Sequence, residues 1–167
     1  VLSVTCAYTY DQLLGYTEAE DARWREWLTQ NPGALDVPFA DGRLATIRGL
    51  LTHIFAVELR YAERLAGRDL TSYDAIDVGS VDEIFELGNR ARALLRQYIA
   101  GMTDQDAATV LSFGTLTAGT ITASKRKIAS NVFIHGIRHW AQVASTLRAA
   151  GFPAQWGHDV LLSEIEI

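Results

Sequence analysis

The chain has 167 residues, 49% of them apolar, and a net charge of −5. That length suits one domain spanning residues 1–167, which buries roughly 70% of the surface its unfolded chain exposes and needs no covalent staple. The acidic balance opposes nonspecific nucleic-acid binding, which depends on clustered Lys and Arg.

The N-terminal stretch VLSVTCAYTYDQ lacks a basic leader before an apolar core, so it does not read as a secretory signal. No apolar run approaches the 18 or more residues of a spanning helix, so no membrane partner is expected and the cytoplasm is the expected location. The lone cysteine, Cys6, excludes an internal disulfide and, with no basic neighbour, reads as an ordinary thiol.

Four helical patterns follow. Tyr10, Leu13, Leu14, Trp24, Trp27 and Leu28 predict a first helix over 4–28, stopped by Asn31-Pro32-Gly33. Ile47, Leu50, Leu51, Ile54, Val57, Tyr61 and Leu65 recur at three- and four-residue steps and predict a second over 44–66, closed by Gly67. A third is expected over 81–101, with Ser80 as its cap and Glu83 completing a capping box. Residues 108–122 are rich in Thr and Val and carry Gly114 and Gly119, which fits a short β-hairpin or extended crossover. The fourth helix is expected over 124–150, ended by Gly151 and Pro153. Its short basic run, Lys125-Arg126-Lys127, reads as solvated surface, and the tail is expected to pack along the bundle. The fold class is therefore all-α, a four-helix bundle with one long connection between the third and fourth helices.

Chemistry points to the histidines. His135 and His139 stand four apart on the fourth helix, on one face, with Cβ atoms roughly 5–6 Å apart. Both fall on the apolar stripe, where a polar ring is costly unless satisfied, and a metal ion satisfies it. His53, beside Ile54 on the second helix, is placed to complete a three-histidine set that leaves coordination positions open. Gly136 stands where a zinc protease has its general-base Glu, so peptide hydrolysis by that route is not expected. A glycine inside a helix costs about 1 kcal/mol relative to Ala, so Gly136 either permits close approach by another backbone or a ligand or is a tolerated weak point. Glu58, five residues past His53, is rotated away from it and is expected to pair with an arginine. Arg60 returns to the face of His53 and is a candidate for an anionic substrate group; Arg138 and Gln142 flank His139 and are candidates for a supporting shell. His158 reads as a surface residue. Nothing resembles a nucleophile elbow or a phosphate-binding glycine loop.

These residues resemble the DinB (DinB/YfiT-like) family. The likeness rests on His53-Ile54, Glu58, Tyr61, Arg64-Leu65 and Gly67 in one helix, and on His135-Gly136-Ile137-Arg138-His139-Trp140-Ala141-Gln142 with Leu147-Arg148 and Gly151 in the other. The resemblance implies an up-down-down-up bundle, often a homodimer, holding a divalent metal, Zn or Ni, on three histidines. It also implies a small-molecule substrate and, by analogy with characterised relatives, a low-molecular-weight thiol cosubstrate. The expectation is a metal-dependent thiol S-transferase or hydrolase, with a non-enzymatic metal- or ligand-binding stress-response bundle as the alternative.

Overall fold

A computed structural model describes residues 8–39, 44–116 and 118–164. Cys6 and the first residues assigned to helix one lie outside them. Helix α1 (Tyr10–Gln30) begins later than residue 4 because Thr9 is extended and caps it, its hydroxyl accepting from the Gln12 amide while the Gln12 side chain accepts from the Thr9 amide. Helix α2 (Ile47–Leu65) begins with the first residue of its apolar stripe, three residues later than the expected start at residue 44, because Thr46 is the cap. Helix α3 (Val81–Gly101) carries the expected capping box between Ser80 and Glu83. A short helix α4 (Asp104–Ala108), absent from the sequence reading, precedes strands β1 (Val110–Thr115) and β2 (Gly119–Ser124). The strands form an antiparallel hairpin in register from Val110↔Ser124 to Thr115↔Gly119. Helix α5 (Lys125–Ala149) follows at once, capped by Ser124. Its basic first turn opposes the helix dipole, and Asp106 and Asp104 of α4 offset it by pairing with Lys125 at 2.6 Å and Arg126 at 3.0 Å.

Cross-helix contacts fix the topology. Arg25 meets Asp82, and Arg96 meets Asp11 and Glu18, so α1 and α3 run antiparallel. Arg48 bonds to the Gly79 carbonyl and Glu58 to Arg92, so α2 and α3 run parallel. Tyr10 bonds to Ser130 and Trp24 stacks on Trp140, so α1 and α5 run parallel. The order is up-down-down-up, with α2 and α1 each packed between α3 and α5. A parallel α2–α3 pair requires residues 66–80 to run back along the bundle. Three connections of 15 residues or more thus separate the four long helices where the periodicity pointed to one long connection.

The core centres on Trp24, Leu28, Leu50, Ile54, Phe55 and Leu147, each at most 1% exposed. Burial of each such side chain contributes about 1.5–3 kcal/mol. Trp24 is the hub: Trp140 stacks on it at 5.5 Å, and Trp156 from the C-terminal segment meets it edge-on at 4.9 Å. The tail is thereby fastened to the bundle.

Candidate metal centre

Because α2 and α5 run antiparallel, the single histidine of α2 faces the pair on α5. The ring centroids of His53 lie 5.3 Å from His135 and 5.1 Å from His139, and the α5 pair is 4.4 Å apart. One nitrogen from each ring can be chosen so that all three lie within 4.8 Å of one another. The Nε2 atoms of His135 and His139 are 3.1 Å apart. Two imidazole nitrogens bound to one zinc at about 2.0–2.1 Å stand about 3.3 Å apart at a tetrahedral angle, so this spacing fits a shared cation. The three histidines could therefore hold a divalent metal.

The protonation pattern fits as well. His139 Nδ1 lies 2.6 Å from Gln142 Oε1; that nitrogen donates to the amide oxygen, leaving Nε2 with its lone pair turned toward His135. His135 Nδ1 is buried with no hydrogen-bond partner among the described residues. Burial is the leading cause that pushes the pKa of His135 down to about 3, with the proximity of His139, His53 and Arg138 next. A ring that stays neutral keeps the lone pair a metal requires.

What approaches Gly136 is a side chain rather than a backbone or a ligand. A Cβ there would stand 3.1 Å from Glu58 Oε1, so the glycine makes room for the Glu58 carboxylate beneath α5. Glu58 is not one of the grouped ligands; it pairs with Arg92 at 3.3 Å, as its rotation away from His53 required. Arg92 also binds Asp21 of α1, and all three side chains are buried. The sequence reading did not find Asp21 or Arg92. The available signal was a polar residue inside an apolar stripe, since Leu14, Thr17, Asp21, Trp24 and Leu28 continue one face of α1.

The histidines open onto a cleft of about 620 Å³, within the range of small-molecule sites. The hairpin forms one wall through Phe113, Thr115 and Ile121. Arg60 does reach the face of His53, but it donates to the Thr71 carbonyl and lies 4.3 Å over the Tyr73 ring. Arg138 stands exposed at the cleft, whereas Gln142 is committed to His139. Arg64, which the sequence reading left without a role, also lines the cleft.

His158 departs from its surface assignment. Its Nδ1 lies 3.0 Å from Glu20, its ring stacks on Trp24 at 5.2 Å, and Tyr16 donates to its carbonyl at 2.6 Å. The buried Glu20 also accepts from Trp156 Nε1. A carboxylate on α1 and a Trp-rich core face together draw the tail inward.

Among the described residues no helix is long and apolar enough to cross a membrane. No curated protein matches the chain. The DinB superfamily profile matches residues 9–143, a span that holds all three histidines, Gln142 and the buried Asp21–Arg92–Glu58 cluster. The chain belongs to the DinB superfamily.

Proposed function

We propose that the protein is a metal-dependent enzyme of thiol S-transferase type, with His53, His135 and His139 as ligands of one divalent cation, Zn or Ni. The observation that carries this reading is three convergent imidazoles in the wall of an open cleft. Bound there, the ion would act as a Lewis acid, lowering the pKa of a coordinated water toward about 7 and deprotonating a coordinated thiol. The chain's own part is to hold and orient. Gln142 fixes the His139 tautomer, and burial keeps His135 unprotonated. The hairpin shields one side of the cleft from water, which strengthens electrostatic interactions inside it. The reaction needs no protein cysteine. The alternative, a bundle that only sequesters metal, is less well supported, since sequestration does not call for a cleft of substrate size beside the ligands. Homodimerisation and a cytoplasmic location belong to the same proposal.

The test is elemental analysis of protein purified without a histidine tag, paired with thiol conjugation to a model electrophile. About one metal per chain is expected, lost in the His135→Ala/His139→Ala double variant while the helical circular dichroism is retained. Conjugation should exceed that of the metal-stripped protein. Unchanged metal content in the double variant would remove the site. Metal bound without any acceleration by several thiols would remove the transferase.

A further inference from the structure

The cleft beside the histidines has a cationic wall without counter-ions. In a chain of net charge −5, its lining includes Arg60, Arg64 and Arg138, and no Asp or Glu among the described residues. Elsewhere Arg25, Arg48, Arg92, Arg96 and Arg126 each face a carboxylate. The cleft arginines do not. Arg60 is held by a carbonyl and an aromatic face. Arg64 lies 3.9 Å over the Phe113 ring and 5.5 Å from that of Tyr61, with no hydrogen-bond or ion-pair partner among the described residues. It is half-buried, and desolvation draws its pKa down. A guanidinium removed from water without an anion is destabilising, and its planar fork of donors matches carboxylate and phosphate. Val57, Tyr61, Phe113 and Ile121 supply an apolar surface beside it.

We infer that the cleft recognises a small organic anion, an apolar or aromatic body bearing a carboxylate or phosphate. Arg64 and Arg138 bind the charged group, and the rest of the molecule extends toward the histidines. Arg64 joins α2 to the hairpin through Phe113, so the anion is held beneath that wall. This names the substrate class of the metal site proposed above and rests on that proposal only for what happens to the far end of the molecule. Recognition of the anion requires no metal.

Calorimetry with benzoate, phenyl phosphate and the neutral benzamide tests this on the full chain, as purified and after chelation. At least one anion is expected to bind tenfold or more tighter than benzamide in both preparations, and the preferred one identifies the charged group. Arg64→Leu and Arg138→Leu should each weaken that anion fivefold or more and leave benzamide unaffected, and Arg64→Lys should restore part of the loss. Equal affinity for all three probes would overturn the inference. So would variants that weaken all three alike, which would make Arg64 a clamp for the hairpin. An anion preference that vanishes on chelation would assign it to the ion and overturn it too. Since the chelated arm stands apart from metal content, a failed metal analysis leaves this result intact, and the converse holds.

Discussion

Arg92 faces two buried carboxylates and can neutralise the charge of one. Asp21 is 6% exposed and Glu58 4%. Burial is the leading cause that lifts both above the ordinary carboxylate range, Asp21 from 3.8 to about 7. One Asp21 oxygen, Oδ1, has no partner among the described residues. Between about pH 4 and pH 7 the folded protein therefore keeps a proton that the unfolded chain has already released. Where the folded state binds more protons, stability falls as pH rises, by about 1.4 kcal/mol per pH unit for each proton. Over about three units the effect approaches ~4 kcal/mol; shared titration with Glu58 spreads it between the two acids. Asp21→Asn or Glu58→Gln leaves one carboxylate for one guanidinium and removes the need for that proton. Urea unfolding at constant ionic strength should show the stability of each variant relative to the parent climbing by about 2–3 kcal/mol between pH 5 and pH 8. Titrating groups outside the cluster cancel in the difference. A difference that stays flat or falls with pH in both variants would refute the retained proton.

Gly88→Ala places a Cβ 2.7 Å from the ring of the fully buried Phe55. The clash should outweigh the helix-propensity gain of about 1 kcal/mol and leave the variant less stable by about 1–2 kcal/mol in urea titration; a stabilised variant would mean that Phe55 can shift freely. Gln142→Leu removes the acceptor that fixes His139. Metal affinity measured by competition with a chelating dye should fall about 10- to 100-fold with little change in melting temperature of the metal-free protein, and an unaltered affinity would show that the tautomer is set elsewhere.

The periodicity of apolar residues determined the four helices, and capping chemistry fixed the start of α3 at Ser80, because these effects act within a few residues of chain. Helix α1 shows where local reading slipped: an apolar pattern continues past a cap, but the Thr9–Gln12 box ends the helix. The histidine pair on α5 was legible because four-residue spacing is a one-helix property, and His53 only because it sat beside an apolar stripe. Their meeting depended on α2 and α5 running antiparallel, which helix packing decides. The same packing decided what no local pattern encodes. Asp21, Glu58 and Arg92 lie on three helices; the sequence offered an arginine partner for Glu58 without naming it, and only the closed bundle leaves two carboxylates with one guanidinium. His158 reads as surface because it stands between Gly157 and Asp159 in a short tail, yet Glu20 and Trp24 draw it in from 138 and 134 positions away along the chain. The charge of the cleft likewise came from assembly, since Arg64 acquires an anion-seeking setting only when the hairpin covers α2 and brings no acid with it. Short-range sterics and hydrogen bonding write the helices into the chain, whereas desolvation, which depends on what finally lies opposite, assigns the charged residues their chemistry.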